Sequence, residues 1–157
     1  MVLSNVQAFS LPDPQKENLM RKRINVSTGA KWEDIVGYSR AVRVGNIVEV
    51  AGTTAVDENG RVVGANSPYE QTKFILTRIE NALKTAGSGL DDVVRTRIFV
   101  TDMKCWEDVG RAHGERFRGI RPAATMVEVS ALISPELLVE IEATAIVADV
   151  SQQAGNV

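Results

Sequence analysis

The sequence predicts an α+β fold, in which two amphipathic helices cover one face of a mixed β-sheet. Three observations predict it: several short segments rich in β-branched residues, two segments with apolar residues at helical spacing, and the order of these segments along the chain. The predicted order is β-β-β-α-β-α-β-β. The chain has 157 residues, 44% of them hydrophobic and 24% charged, which suits one domain with its own core.

The first predicted strands lie within residues 38–54, on either side of a turn at Gly45-Asn46. A second turn is predicted at Asn59-Gly60, because both residues tolerate the positive φ angles that a type I′ hairpin turn requires. Residues 61–63 should therefore return as a third strand against the preceding one.

The first helix is predicted to begin at the segment Ser67-Pro68-Tyr69-Glu70, which has the composition of a capping box with proline at the first helical position. Apolar residues follow at helical spacing up to position 86, and Gly87 is suited to the residue just beyond the helix. The second helix is predicted over Trp106–Phe117.

Three further strands are predicted at Val93–Val100, Ala124–Ala131 and Leu137–Val147. Side chains alternate between the faces of a strand, so one side of the last strand is apolar and suits packing under the helices. The opposite sides combine charged and apolar groups, namely Arg95, Arg97 and Phe99, then Met126, Glu128 and Ser130, then Leu138, Glu140, Glu142, Thr144 and Ile146. Such a mixed face is either solvated or a symmetric subunit interface in which carboxylates pair with arginines, and we favour the interface.

Composition narrows the classes of function. Lys and Arg number 18 and Asp and Glu number 20, giving a formal charge of −2, whereas nucleic-acid-binding proteins usually carry a basic excess. The single cysteine, Cys105, cannot form an intrachain disulfide, and no apolar run is long enough to cross a bilayer. We therefore expect a cytoplasmic protein that binds neither nucleic acid nor membrane.

Domain boundaries follow from proline content and periodicity. Residues 1–20 are predicted to be a flexible N-terminal extension, residues 21–150 the α+β domain and residues 151–157 a C-terminal tail. Phosphate-binding glycine loops and nucleophile elbows are absent from the sequence, and its single histidine argues against a zinc site built on histidines. We expect no metal and no cofactor.

Few side chains suggest acid–base or nucleophilic chemistry. His113 is either a general base or, as we favour, a surface or interface histidine. Cys105 is interpreted as a small residue at a helix start and not as a nucleophile. Glu140 and Glu142 lie two residues apart on one strand face, where they form an acid–base pair if the face is buried in a cleft.

The C-terminal half of the chain resembles a known family. The segments are VRTRIFVTD at 94–102, RPAATMVEV at 121–129 and VEIEA at 139–143, preceded by GNIV at 45–48 and Ala51-Gly52. In this order and spacing, over roughly residues 35–148, they resemble the Rid family (reactive intermediate deaminase, also called the YjgF or endoribonuclease L-PSP family). The resemblance implies a chorismate-mutase-like two-layer sandwich, assembled as a homotrimer with clefts between subunits.

The resemblance also implies an activity and a site. Active family members hydrolyse enamines and imines to 2-oxo acids and ammonia without a cofactor, in the inter-subunit cleft that binds the small-molecule ligand. By position, Tyr38 corresponds to the cleft tyrosine, Gly52 to the glycine that contacts substrate through its N–H, and Glu140 to the catalytic glutamate that positions or activates water. Ala51 stands where active members often have serine.

One position departs from the family pattern. The arginine that grips the substrate carboxylate follows Pro-Ala in the deaminases, and here that position is Ala124. Arg121 is a candidate substitute if its chain turns inward, although the strand period places it on the opposite face from position 124. Arg97 and Arg111 are further candidates.

Three functions therefore remain open at this point. The first is hydrolysis of an imine or enamine with altered carboxylate recognition. The second is a non-enzymatic trimer that binds a small metabolite or a protein. The third is a ribonuclease or translation inhibitor, which the acidic charge balance disfavours.

Overall fold

The structure, a computed structural model, describes residues 22–148; the predicted extension 1–20 and tail 151–157 lie outside the described residues. The helices are α1 (Lys31–Val36), α2 (Pro68–Thr85) and α3 (Trp106–Phe117). The strands are β1 (Arg23–Val26), β2 (Ala41–Val44), β3 (Ile47–Thr54), β4 (Val93–Val100), β5 (Ala123–Glu128) and β6 (Val139–Ile146).

The strands form a six-stranded mixed sheet in the order β1-β2-β3-β6-β4-β5. All neighbours are antiparallel except β4 and β5, which are parallel because α3 carries the chain back between them. The last strand of the sequence is therefore central, with β3 on one side and β4 on the other. This position places both glutamates of β6 in the middle of the sheet.

The core lies between the sheet and the helices α2 and α3. Helix α2 buries Ile75, Leu76, Ile79 and Leu83 completely, and the facing side of β6 buries Val139 and Ile141. Burying one such side chain contributes about 1.5–3 kcal/mol, so this layer accounts for much of the stability of the fold. The predicted α+β architecture and the predicted apolar side of the last strand are confirmed.

Helix α2 begins as predicted, but only half of the capping box forms. The Ser67 hydroxyl accepts a hydrogen bond from the N–H of Glu70, at 3.3 Å. The N–H of Ser67 donates to the Gly64 carbonyl instead of to the Glu70 side chain. The tight turn before the helix therefore satisfies the donor that the glutamate would have bound.

The predicted element order is wrong at the N-terminal side of the domain. Strand β1 and the short helix α1 were not predicted, and residues 61–63 do not form a third strand. They contribute a single bridge, from Val62 to Val56. Helix α1 has only six residues and leaves Trp32, Ile35 and Val36 exposed, so it gives no helical apolar pattern to detect.

The turn at residues 57–60 also differs from the prediction. Gly60 has a φ of 78°, but Asn59 is not among the residues with positive φ, so the turn is not type I′. The Asp57 carboxylate accepts hydrogen bonds from the N–H groups of Asn59 and Arg61. Because the aspartate binds these N–H groups, it stabilises a different turn that only glycine at position 60 completes readily.

Strands β5 and β6 are shorter than predicted or shifted, and two residues of β5 that were predicted on the open face lie on the helix side. Strand β5 ends at Glu128 and β6 begins at Val139. Met126 pairs with the buried Ile98 and packs against the core, and Glu128 pairs with the buried Val100, so neither residue belongs to the open face where the alternation placed them. The prediction assigned β5 without knowing its register against β4, and register decides the face.

The described residues contain no helix with the length and apolar composition required to cross a membrane.

Candidate functional site

A β-bulge in β3 shapes the candidate site. The register of β3 against β6 shifts between Val50 and Thr53, so that Ala51 and Gly52 together lie opposite the single residue Glu142. The Ala51 N–H donates to the carbonyl of Arg40, the residue just before β2. The bulge interrupts the regular alternation at the two site positions that the resemblance implied in this strand.

The carboxylate of Glu140 lies directly over Gly52. A Cβ atom added to Gly52 would overlap Oε1 of Glu140. Glu140 pairs with Thr54 of β3 and with Phe99 of β4, so its side chain projects from the face of the sheet that the helices leave open. The absence of a side chain at Gly52 therefore creates the space that the Glu140 carboxylate occupies.

A buried arginine joins these residues. Arg40 is 9% exposed, and its Nη1 donates to the Gly52 carbonyl at 3.0 Å and to Thr53 Oγ1 at 2.9 Å. Its Nη2 donates to the hydroxyl of Tyr38 at 3.2 Å. Tyr38 and Gly52 therefore bond the same guanidinium, and the Glu140 carboxylate lies over Gly52, so the three residues that the resemblance selects lie together.

Burial raises the pKa of Glu140 above its ordinary value. The positive charge of Arg40 opposes this increase, whereas the neighbouring Glu142 adds to it. A carboxyl group with a raised pKa is more readily protonated near neutral pH, and is therefore better suited to give and take a proton than an exposed glutamate.

Sequence reasoning did not identify Arg40, although a signal was present. Residues 38 and 40 are two apart in a segment predicted as a strand, so their side chains should share a face. The guanidinium of Arg40 lies 5.5 Å from the centroid of the Tyr38 ring, as that spacing would place it. The proposed substitutes Arg97, Arg111 and Arg121 were sought in the C-terminal half of the chain, where the missing arginine would have been.

Ala124 and Arg121 lie apart from this group in the chain. Ala124 pairs with Thr96, whose hydroxyl lies 3.0 Å from Nε2 of His113 on the helix-facing side of the sheet. Ala124 and Glu140 therefore belong to opposite faces of the sheet. Arg121 follows α3 with a φ of 57°, and its Nε donates to the carbonyl of Arg118 at the helix end.

The other two candidate arginines have carboxylate partners. Arg97 forms an ion pair with Glu142, with 2.6 Å between Nη1 and Oε1, on the same open face as Glu140. Arg111 pairs with Asp108 at 2.8 Å and stacks over Tyr69 on the outer side of the helices. Only Arg97 of these two is on the face that carries the candidate site.

His113 and Cys105 occupy structural positions. His113 lies between α3 and β4, with its ring 4.6 Å from that of Phe117, and burial lowers its pKa. Cys105 directly precedes α3 and its Sγ donates to the Asp102 carbonyl, while burial raises the pKa of the thiol. The interpretation of Cys105 as a structural residue is therefore favoured. His113 packs within the chain against Thr96 and Phe117, which differs from the surface or interface position that we favoured.

In the part of the chain that the structure describes, no three histidine, cysteine or carboxylate side chains lie close enough together to hold a metal ion.

Comparison with known proteins identifies the family. The model of the endoribonuclease L-PSP family matches residues 28–147. An uncharacterized protein of Streptomyces coelicolor is 38% identical over 120 residues, which cover 76% of this chain and 89% of the relative. A RutC family protein of Pyrococcus abyssi is 37% identical over 109 residues, covering 69% and 84% of the two chains.

Solved structures agree with the sequence matches. A crystal structure from Mycobacterium tuberculosis, of a member of the YjgF/YER057c/UK114 family, is 52% identical with a TM-score of 0.73 and covers 80% of this chain and 100% of its own. A Rid family structure from Yersinia pestis is 32% identical with a TM-score of 0.72 and the same coverage. The resemblance is confirmed, and the chain belongs to the endoribonuclease L-PSP family, also called the YjgF or Rid family.

Proposed function

We propose that the protein hydrolyses a reactive imine or enamine to a carbonyl compound and ammonia, without a cofactor, in a cleft between the subunits of a homotrimer. Recognition of the substrate carboxylate differs from that of the deaminases in the family. The grouping of Tyr38, Gly52 and Glu140 around Arg40 supports this proposal most directly.

Glu140 is the proposed acid–base group. Water adds to the carbon of the C=N bond while a proton passes to the nitrogen, and the resulting amino alcohol then loses ammonia and leaves a carbonyl group. Each step moves a proton between water and nitrogen, and a carboxyl group with a raised pKa is suited to transfer it. An enamine first takes a proton on carbon, which a protonated Glu140 can supply.

Arg40 is the proposed positioning residue of this site. Its Nη atoms hold the Tyr38 hydroxyl and the Gly52 carbonyl in place, so the neighbouring tyrosine ring and backbone stay fixed when a ligand binds. Its charge also limits the rise in the pKa of Glu140. A residue that acts in both ways should affect the pH dependence of the reaction as well as its rate.

Three features support a cleft formed by more than one subunit. Ala124 and Glu140 lie on opposite faces of one sheet, so a site that contains both positions needs two copies of the chain. The open face carries the Arg97–Glu142 pair and Arg95, whose buried Nε has no acceptor among the described residues. Partially buried charges of both signs suit a symmetric interface between copies.

The alanine at position 124 is the reason for proposing altered recognition of the substrate carboxylate. Alanine offers neither a charge nor a hydrogen-bond donor. Charge-assisted hydrogen bonds contribute about 1.5–3 kcal/mol each, so a substrate held through that position alone would bind weakly. The preferred substrate therefore either lacks a carboxylate or presents it to a different group.

The test is the hydrolysis of imines generated by an amino-acid oxidase, followed by trapping the remaining imine with semicarbazide. We expect wild type to shorten the imine lifetime and Glu140→Gln to lose at least about 100-fold in rate, in line with acid–base catalysis. Glu142→Gln is the matched control, because it removes a carboxylate two residues along the same strand face. Equal activity of wild type and Glu140→Gln would refute the proposal.

A second candidate function is binding of a small metabolite without hydrolysis, and the alanine at position 124 favours it. If only Ala124→Arg hydrolyses imines, the cleft is a binding site that lacks the reaction. Ribonuclease activity, which the family's name suggests, fits less well with a formal charge of −2.

A further inference from the structure

A glutamine lies on the buried face of helix α2. Gln71 is one helical turn before Ile75 and two turns before Ile79, and all three side chains are completely buried. Burial of an amide is unfavourable unless hydrogen bonds satisfy its donor and acceptor atoms. A glutamine at a position that would suit an apolar side chain therefore indicates specific partners.

Those partners are main-chain groups just before β6. Nε2 of Gln71 donates to the Glu136 carbonyl and Oε1 accepts from the Leu138 N–H, both at 2.8 Å. A carbonyl needs a donor and an N–H needs an acceptor, so these two partners also fix which way the amide faces. One side chain thus binds both ends of the segment 136–138, and we call this pair of hydrogen bonds the Gln71 clamp.

The start of helix α2 holds Gln71 itself in place. Ser67 caps the helix and Pro68 is its first residue, so Gln71 is the fourth helical residue. Its N–H donates to the Ser67 carbonyl at 3.0 Å. The amide therefore projects from a capped first turn whose geometry is set within four residues.

The Gln71 clamp lies where the pairing of β6 ends. Glu140 is the second residue of β6 and is opposite Thr54, the last residue of β3. Before β6, the Thr101 N–H donates to the Leu138 carbonyl on the β4 side. Because chain segments open most readily where ladder hydrogen bonds stop, a contact from α2 at this point restrains the residues that lead into Glu140.

We infer that Gln71 is a positioning residue of the proposed hydrolytic site, where it fixes the start of β6 and thereby keeps the Glu140 carboxylate over Gly52. Gln71 extends from the helix side of the sheet and the Glu140 carboxylate lies on the open face, so the effect passes through the main chain of residues 136–140. The inference rests on the proposed hydrolysis for its rate measurement, but not for a second measurement on Glu140.

The rate measurement uses imine hydrolysis by Gln71→Met, which removes both hydrogen bonds at similar side-chain volume. We expect kcat to fall at least about tenfold, because a displacement of the catalytic carboxylate by about 1 Å is costly. KM should change less than about twofold, since Tyr38 and Arg40 lie outside the segment that the Gln71 clamp holds. Gln71→Asn keeps the amide but is too short to reach both partners, so kcat should fall in the same direction.

Thr72→Val is the matched control. Thr72 is the next residue of the same helix, is completely buried, and donates from its hydroxyl to the Pro68 carbonyl at 2.7 Å. Valine removes that hydrogen bond at similar volume but leaves the Gln71 clamp intact. All variants are assayed where circular dichroism shows them folded, and Thr72→Val should keep the wild-type kcat and KM.

The second measurement is an NMR titration of the Glu140 carboxyl, which needs no substrate. Burial raises its pKa in the wild-type protein. In Gln71→Met and Gln71→Asn the pKa should shift back towards the ordinary value near 4.5, and in Thr72→Val it should stay as in wild type. If wild type does not hydrolyse imines, the proposed function fails, and the titration alone then decides the inference about Gln71.

Hydrogen exchange on the wild type tests the Gln71 clamp without any substitution. The Leu138 N–H should exchange at least roughly 100-fold more slowly than that of Ile133, in the exposed part of the preceding loop. Three results would overturn the inference: equal exchange at these two positions, an unshifted Glu140 pKa in the folded Gln71 variants, or an equal effect of Thr72→Val.

Discussion

Gly52 and Glu140 are complementary in shape: the carboxylate of one fills the space that a side chain on the other would need. The two residues belong to neighbouring strands and are far apart in sequence, and the bulge at Ala51-Gly52 sets their contact. The need for glycine at position 52 therefore has a steric explanation that does not depend on any ligand. The same glycine also offers its carbonyl to Arg40, which connects the carboxylate, the bulge and the guanidinium.

Gly52→Ala should displace Glu140 and reduce imine hydrolysis by at least about tenfold, because a carboxylate moved by about 1 Å no longer meets the reacting atoms. Destabilisation of about 1–3 kcal/mol is expected from overpacking. Activity and urea-induced unfolding would be measured on the same preparations.

The control for this substitution is Gly110→Ala. Gly110 is within α3 and an added Cβ would meet nothing within 4 Å, so alanine should stabilise the protein by about 0.5–1 kcal/mol. Unchanged hydrolysis by Gly52→Ala would contradict the assigned role of the contact between Gly52 and Glu140.

Glu33 should make the protein sensitive to acid. Burial raises the pKa of this carboxyl, but hydrogen bonds from Ser27 and Thr28 and the charge of Arg40 outweigh that effect, and the net pKa is lowered. A lowered folded-state pKa gives stability that is present above the unfolded value near 4.5 and is lost as the pH falls through the folded value.

Glu33→Gln should therefore cost about 1–3 kcal/mol of unfolding free energy at pH 7, and the difference from wild type should shrink as the pH falls below about 4.5. Asp34→Asn is the matched control, because Asp34 is the exposed neighbour in the same helix. A difference that stays constant with pH would mean that charge on Glu33 does not contribute to folding.

Glu140 should show the opposite dependence on pH. Its folded-state pKa is raised, so its contribution to stability is complete below the unfolded value near 4.5 and is lost as the pH rises through the folded value. Relative to wild type, Glu140→Gln should gain stability over that interval and then reach a plateau. Denaturant unfolding at a series of pH values, with Glu142→Gln alongside, checks this; a gain that appears on acidification would show that the sign is wrong.

Patterns within short segments of the sequence were sufficient to predict much of the fold. Helix α3 has the predicted limits, Trp106–Phe117, because apolar spacing and flanking residues specify it without reference to the rest of the chain. Strand β4 was likewise predicted at Val93–Val100. Helix α2 begins at Pro68 as predicted, since the Ser67 cap is a contact within four residues.

Features that depend on register were not predictable in the same way. Met126 faces the core because β5 pairs with β4 at Ile98, and nothing within residues 123–128 reports that pairing. The overlap of Gly52 with Glu140 needs the bulge and the β3–β6 register together. The two-residue period of a strand could have placed Arg40 on the same face as Tyr38. Its burial could not be predicted in this way, because it depends on contacts with Thr53 and Tyr38 in the folded chain.

An apolar cluster on the open face should control assembly. Val44, Ile47 and Ile146 are paired across three neighbouring strands and are each 43–47% exposed. Half-exposed β-branched side chains side by side on an uncovered sheet suit burial against another copy of the chain. Ile47→Glu would place a carboxylate within this cluster, where pairing of copies would desolvate it.

Multi-angle light scattering should therefore give a trimer for wild type and a shift towards monomer for Ile47→Glu. Thr85→Glu adds the same charge on the exposed part of α2, on the helix side of the molecule, and should leave the mass unchanged. Ile47→Glu should also lose imine hydrolysis, because a cleft between subunits needs the assembly, whereas the monomer keeps its own fold and its circular dichroism spectrum. A trimer that persists in Ile47→Glu would place the interface elsewhere, and a monomeric wild type would remove the basis for a cleft between subunits.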